Sequence, residues 1–332
     1  MAALAVVGAL VLTACSGATS TQPPAAPPPG NALAGQLSAA VSADAAWVHL
    51  EALQRIADEN GGNRAEGTPG YEASVDYVVG VLRTAGFDVE TPLYESDRGD
   101  ELRQVVARTR TGDPESVVLA GAHLDSVTEG PGINDDGSGV AAMLEIATRL
   151  GGSPEGLRDT VAFGLWGGEE EGLLGSRSYV RELSRAERDG HRLYLNADML
   201  GSVNGGYYVQ GGVGEDEEET GPPGSEEAAE VLYEELSKTG VEPERMALYG
   251  DDDYYFAEAG IPTTAAVTGD SEIKTAEQAR KWGGQAGEIH DPCYHQACDT
   301  LDNVDRTKLD RYTKAIAGTL MRYASGEGGS TG

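Results

Sequence analysis

The chain has 332 residues, of which 55 are acidic and 24 are basic, so its formal net charge at pH 7 is −31. This charge excludes a nucleic-acid-binding protein, which would carry a basic surface, and it argues against attraction to anionic lipid headgroups. An acidic surface favours solubility and also fits adaptation to high salt. About 280 residues remain after an N-terminal export segment, enough for one large core.

The first 15 residues resemble a bacterial lipoprotein signal peptide. Residues 2–12 form an apolar run that is too short to span a bilayer. The LTAC sequence that ends at Cys15 resembles a lipobox, in which Cys15 becomes the lipidated first residue. Ordinary signal cleavage nearby is the alternative. Residues 16–44, rich in Pro, Ala and Ser, predict a tether, so we expect an exported protein that is secreted or held at the cell surface only by a lipid anchor.

The body of the chain, residues 45–325, alternates between predicted helices and predicted strands. Apolar residues recur at helical spacing in the segments 45–59, 69–85, 136–150, 226–238 and 308–323. Short apolar runs predict strands over 87–89, 104–108, 117–122, 161–166, 193–195 and 263–267. This alternation predicts one domain of the α/β class, with a mostly parallel central sheet and helices on both faces. We expect residues 326–332 to form a disordered tail.

Candidate metal ligands follow the predicted strands, where an open α/β sheet forms its sites. His123 ends one strand, Glu169 and Glu170 follow another, and Asp198 follows a third. Asp135 stands in a glycine-rich turn before a predicted helix, and its two oxygens could bridge two cations. Taken singly, each signal has an ordinary explanation, such as helix capping by Asp135 and Asp136 or a solvated acidic turn.

His295 completes a set of two histidines and three carboxylates. This set suits two divalent ions about 3.5–4 Å apart. One of the adjacent glutamates, Glu169 or Glu170, could be a ligand and its neighbour a general base. Asp125 lies two residues after His123 and could fix the tautomer of that histidine by accepting a hydrogen bond from its second ring nitrogen.

Two cysteines, Cys293 and Cys298, flank His295 at a spacing of five residues. In an exported protein this spacing predicts a disulfide that closes a tight loop. A zinc knuckle is the alternative, but the sequence has no second cysteine pair to complete it.

The order of these motifs resembles peptidase family M28, the co-catalytic zinc metallopeptidases, and most closely its short secreted aminopeptidases. The matching segments are GGNRAEGTPGYEASVDYV from Gly61, GAHLDSV from Gly121, GINDDGSGVAA from Gly132, FGLWGGEEEGLLGSRSYV from Phe163, YLNADMLGS from Tyr194 and KWGGQAGEIHDPCYHQACDTLDNV from Lys281. The resemblance covers residues 47–323. It implies a phosphorylase/hydrolase-like fold of the zinc exopeptidase type with a single catalytic domain.

The resemblance also implies how the candidate ligands are shared between two zinc ions. By this likeness His123 and Asp198 bind one Zn²⁺, and Glu170 and His295 bind the other. Asp135 then bridges the two ions. The implied activity is hydrolysis of the N-terminal residue from peptides or proteins, by an enzyme that we expect to be a monomer.

Further roles are implied for residues around the ligands. Glu169 matches the general base, and Tyr294 matches the residue that hydrogen-bonds the oxyanion of the tetrahedral intermediate. Asp125 matches an aspartate that supports a ligating histidine. The bond between Asp135 and Asp136 matches a place where the family often has a cis peptide.

Two features depart from the family pattern. Asp253 stands where relatives often carry a histidine in a segment that borders the substrate pocket, and an expected nearby arginine is missing. The added negative charge could favour a basic end of the substrate. A calcium site of a close relative is not predicted, because only Asp310 aligns with its carboxylates and Lys314 replaces another.

Three other functions are the alternatives to aminopeptidase activity on the same fold. A glutaminyl cyclase would typically hold one catalytic zinc, whereas this chain retains all five ligands. A carboxypeptidase would need a cationic pocket, for which Arg177 and Lys281 are the few candidates. A non-catalytic binding protein is disfavoured, because neither a ligand nor the base is missing.

Overall fold

The computed structural model describes residues 1–2, 30–211, 221–247 and 250–326. Cys15, the predicted signal peptide after residue 2, the first half of the predicted tether and the predicted tail after residue 326 lie outside these ranges. Within them, no helix has both the length and the hydrophobicity needed to cross a membrane.

A central sheet of eight strands organises the described residues. The strands are β1 Asp88–Glu90, β4 Val105–Arg108, β5 Asp113–His123, β6 Asp159–Trp166, β7 His191–Asp198, β8 Tyr208–Gln210, β9 Glu244–Met246 and β10 Thr263–Val267. Their order is β1-β4-β6-β5-β7-β10-β8-β9, and β2 Leu93–Glu95 pairs separately with β3 Glu101–Arg103. The four middle strands β6, β5, β7 and β10 run parallel, whereas β4 and β8 join them antiparallel. The predicted α/β class with a mostly parallel centre is therefore confirmed.

Helices cover both faces of this sheet. They are α1 Gly30–Ala40, α2 Ala43–Glu59, α3 Pro69–Thr84, α4 Gly137–Leu150, α5 Leu174–Glu182, α6 Arg185–Gly190, α7 Ser225–Ser237, α8 Asp253–Glu258, α9 Ala276–Trp282 and α10 Arg306–Ala324. The five predicted helices correspond to α2, α3, α4, α7 and α10, each within two residues at either end.

The sheet separates two hydrophobic clusters. The larger one joins α2, α3, α4, α7 and α10 to one face through fully buried residues such as Leu50, Val140 and Ile316. The smaller one, on the other face, is built around Trp166 and Phe256. All eight residues of β6 are buried, because the strand is central and covered on both faces, so its sequence shows no alternation of polar and apolar residues.

The predicted tether is too long at its C-terminal end. Residues 30–40 form α1, which packs against α10, and Ala34, Leu37 and Val41 are buried in the main core. Ser42 then caps α2 by accepting a hydrogen bond from the Ala45 amide. The compositional signal was misleading because alanine, which is common in flexible linkers, is also a strong helix former.

We predict that Leu37→Ala lowers the free energy of unfolding by about 2 kcal/mol, because it removes a buried side chain that joins α1 to the core. Gln36→Ala, an exposed position on the same helix, is the matched control and should change this energy by less than about 0.5 kcal/mol. Equilibrium unfolding in urea measures both values. Equal stabilities for the two variants would mean that α1 is not part of the folded domain.

Candidate metal centre

The candidate ligands meet at one edge of the sheet, where parallel strands end. His123 is the last residue of β5 and Asp198 the last residue of β7. Glu169 and Glu170 follow β6, which pairs with β5 so that Trp166 lies opposite His123. The sheet therefore brings together side chains that are far apart in sequence.

Asp135 lies between the two histidines. One of its carboxylate oxygens is 3.1 Å from Nε2 of His123, and the other is 3.3 Å from Nε2 of His295. The peptide bond that joins Asp135 to Asp136 is cis, as the resemblance implied. A carboxylate that offers one oxygen to each of two sites has the arrangement of a bridging ligand.

Each histidine faces a second carboxylate as well. Nε2 of His123 is 3.7 Å from an oxygen of Asp198, and Nε2 of His295 is 3.0 Å from an oxygen of Glu170. The five predicted ligands thus form two neighbouring groups that share Asp135.

The chemistry of this cluster fits bound cations. Glu170 Oε1 and Asp198 Oδ1 are buried and have no hydrogen-bond partner among the described residues, an arrangement that is costly unless something else binds them. Burial, together with nearby Asp135, raises the pKa of Glu170 to about 7. Two imidazoles and three carboxylates are the nitrogen and oxygen donors that zinc accepts.

The carboxylates of the cluster favour positive charge on its two histidines. Burial alone would raise the pKa of Asp135, but hydrogen bonds with His123 and His295 outweigh it and lower this pKa below its ordinary range. Hydrogen bonds to Asp135 and Glu170 raise the pKa of His295 to about 10. Burial disfavours the charged form of His123, yet the carboxylates around it raise its pKa well above normal.

Asp125 supports the site differently from the prediction. Nδ1 of His123 is 3.2 Å from the main-chain oxygen of Asp125 and 3.8 Å from its carboxylate. The main-chain carbonyl is thus the nearer partner of the ring nitrogen. The carboxylate of Asp125 instead accepts hydrogen bonds of 3.3 Å from the amides of Glu169 and Glu170, and so fixes the turn that carries them.

Asp299 and Asp136 hold the turn that carries Asp135. The sequence indicated Asp136 only as an alternative helix cap, and it did not identify Asp299. The carboxylate of Asp299 accepts from the amides of Asn134 at 2.9 Å and Asp135 at 3.0 Å. Asp136 caps α4 through the Gly139 amide and also accepts from the main-chain amide of His123. These bonds join the turn to β5 and to the loop that carries His295.

Arg64 is a second support that the sequence did not identify. It is fully buried, and its guanidinium donates to the carbonyls of Leu124, Pro131 and Gly132. It thereby ties the loop after β5 to the chain that precedes α3. Arg64 lies in one of the segments matched to the family, but only its burial and partners reveal this role.

The predicted disulfide between Cys293 and Cys298 is present. It closes the loop that carries Tyr294 and His295, whose rings stack with centroids 3.8 Å apart. His295 has a φ of 55°, an uncommon backbone conformation for a residue with a side chain. The short closed loop therefore holds both side chains against the cleft.

Glu169 and Tyr294 both line the cleft around the ligands. Asp251, Asp270 and Glu272 line it as well, although the sequence did not indicate them as ligands or catalytic residues. Asp270 and Glu272 follow the end of β10, and this position is the signal that could have identified them. Asp253, the departure noted in the sequence, is fully buried and does not line the cleft.

Comparison with known proteins agrees with this geometry. The model of peptidase family M28 matches residues 104–320. Leupeptin-inactivating enzyme 1 of Streptomyces exfoliatus is 44% identical over 283 residues, which cover 84% of this chain and 61% of that enzyme. The probable lipoprotein aminopeptidase LpqL of Mycobacterium tuberculosis is 33% identical, with 99% of this chain and 95% of that protein covered.

A solved structure gives the same result. The chain resembles BSAP, a zinc aminopeptidase from Bacillus subtilis, with a TM-score of 0.56 and 25% identity, over 70% of this chain and 52% of that one. The chain therefore spans only part of the length of several proteins that it resembles. The resemblance stated from the motifs is confirmed, and the chain belongs to peptidase family M28.

Proposed function

We propose that this protein is a two-zinc aminopeptidase that hydrolyses the N-terminal residue from peptides. The single observation that carries the proposal is the shared carboxylate of Asp135, which offers one oxygen to each of two histidines. The names of its relatives, which include aminopeptidases, support the same activity. A site with two neighbouring ligand groups is suited to hydrolysis of an amide bond.

In this proposal His123 and Asp198 hold one zinc ion, Glu170 and His295 hold the other, and Asp135 is shared. Zinc supplies Lewis acidity, which makes water a stronger nucleophile and polarises the substrate carbonyl.

Glu169 is the proposed general base. It lines the cleft beside the ligands, and its amide is held by Asp125. Its carboxylate would take a proton from the attacking water and deliver a proton to the leaving amine. Burial raises its pKa well above normal, and this favours a group that can hold the proton between the two transfers.

Tyr294 is the proposed hydrogen-bond donor to the oxyanion. Its side chain lines the cleft next to His295. Burial raises the pKa of its phenol above the ordinary value, so the hydroxyl keeps its proton and remains able to donate. Such a donor strengthens its hydrogen bond as charge develops on the substrate oxygen.

The acidic side chains next to the ligands suit the free α-amine of a substrate. Carboxylate oxygens of Glu169, Asp198 and Asp251 lie within 4.8 Å of one another. An ammonium group in this position would balance part of their charge and would align the N-terminal residue with the base. This is the feature that favours an exopeptidase.

Removal of metal should abolish activity. We predict that dialysis against a chelator eliminates hydrolysis of an aminoacyl-nitroanilide, and that titration with Zn²⁺ restores it fully at about two equivalents per chain. Full recovery at one equivalent would contradict the two-zinc proposal. Activity that survives chelation would contradict the metal mechanism altogether.

Replacement of the proposed base should separate chemistry from metal binding. We predict that Glu169→Gln lowers kcat by about 100-fold or more while zinc content stays unchanged, because the amide cannot accept the proton. Glu171→Gln, at an exposed neighbouring glutamate, is the control and should retain normal turnover. Near-normal turnover of Glu169→Gln would remove Glu169 as the base.

We also propose that the protein is exported and anchored through a lipid on Cys15, as the name of its mycobacterial relative suggests for that protein. In a bacterial host, the full chain should partition into a detergent phase, and Cys15→Ser should shift it to the aqueous phase. Ser16→Ala is the control and should not change partitioning. A wild-type protein found only in the aqueous phase would contradict the anchor.

A further inference from the structure

Part of the cleft is lined by residues that the proposed reaction does not use, and we call this part the side pocket. We define this side pocket by the apolar residues Met199, Met246 and Val267, with Gln210 and the carboxylates described below. Val267 lies opposite Asp198 on the neighbouring strand, so the apolar wall begins directly beside the metal centre. This wall would contact the first side chain of a bound peptide.

Gln210 gives the side pocket an unused hydrogen-bond acceptor. Its residue is only 2% exposed, and its Oε1 is buried without a hydrogen-bond partner among the described residues. Gln210 pairs with Ala265 across β8 and β10, and Val267 stands two residues further along the same strand. The side chains of Gln210 and Val267 therefore lie on one face of the sheet. A ligand that carries a hydrogen-bond donor would satisfy this buried acceptor.

The charge of the cleft exceeds what two metal ions would balance. The described residues that line it include seven carboxylates and two histidines but no lysine or arginine. Two divalent cations would balance four of the seven negative charges, and the α-amine of a substrate would balance a fifth. Two of these carboxylates, Asp270 and Glu272, follow β10, and Glu272 also lies 3.6 Å from Nδ1 of the buried His290. The cleft thus retains negative charge for a further cation.

We infer that the side pocket binds a cationic N-terminal side chain, lysine or arginine, of the peptide substrate. The aliphatic part would lie along Met199, Met246 and Val267, as long basic side chains do on apolar surfaces. The charged end would donate to Gln210 and face Asp270 and Glu272. This inference rests on the proposed function, because it assigns the substrate class of the same site.

A leucine side chain would fill the apolar part of the side pocket but leave its polar and charged groups without a partner. It offers no donor to Gln210 and no charge to Asp270 and Glu272. A site built to pair with a polar group discriminates strongly against an analogue that lacks it, since its own buried group then stays unpaired. The two substrate types should therefore differ mainly in kcat/KM.

Matched substrates test the inference on the unmodified protein. Lysyl-nitroanilide is compared with norleucyl-nitroanilide, and arginyl-nitroanilide with citrullyl-nitroanilide, because each pair differs mainly in charge. We expect the charged member to have a kcat/KM higher by roughly tenfold to a hundredfold, the range of a charge-assisted hydrogen bond. A ratio of one or less in both pairs would overturn the inference and leave the aminopeptidase proposal intact. Failure to hydrolyse any of the four would instead overturn the proposed function.

Single substitutions test whether the side pocket causes the preference for the charged substrate. Glu272→Gln and Gln210→Leu should each lower the lysine-to-norleucine ratio of kcat/KM at least several-fold, while norleucine hydrolysis persists. Glu115→Gln makes the same change of charge at an exposed position near the start of β5, at the opposite edge of the sheet, and should leave the ratio unchanged. A ratio that stays at the wild-type value in both pocket variants would overturn the assignment of the side pocket.

Discussion

The rest of the candidate site depends on the contacts that the carboxylate of Asp135 makes with two histidines. This carboxylate faces His123 on one side and His295 on the other, and these histidines come from distant parts of the chain. Its position is fixed from behind, where Asp299 accepts hydrogen bonds from its amide and from the amide before it. A shared ligand of this kind aligns two cations only if its supports are rigid, and buried hydrogen bonds provide that rigidity.

The sequence was sufficient for the sheet, for its long helices and for the residues that end strands. His123 and Asp198 could be identified because long apolar runs lead directly to them, and the parallel arrangement of those runs brings their ends together. Several short elements, such as β8 and β9, were missed, since a three-residue strand carries little pattern. The order of the motifs identified Asp135, whose own signal could equally have been a helix cap.

The supports of the site could not be predicted, because they join residues far apart in the chain. Asp299 is 164 residues from the amide of Asp135 that it binds. Arg64 became recognisable only through its complete burial and its three carbonyl partners. The spacing of two residues between His123 and Asp125 could not show which oxygen of Asp125 lies nearer to the histidine, the carboxylate or the main-chain oxygen.

The acidic residues of the cleft have a different role from those on the surface. Much of the net charge of −31 lies on exposed positions and serves solubility, but the carboxylates around Asp135 are buried or partly buried, where charge is costly unless it is balanced. Two metal ions, a substrate amine and a basic side chain would together balance most of the negative charge of these carboxylates. The need to balance the buried negative charge thus connects metal binding with the proposed selectivity for basic side chains.

Anomalous diffraction at the zinc absorption edge, from crystals of the zinc-loaded protein, tests the central claim most directly. The account predicts two peaks about 3.5–4 Å apart, one on each side of the Asp135 carboxylate. A single peak, or a second peak that does not contact Asp135, would contradict it.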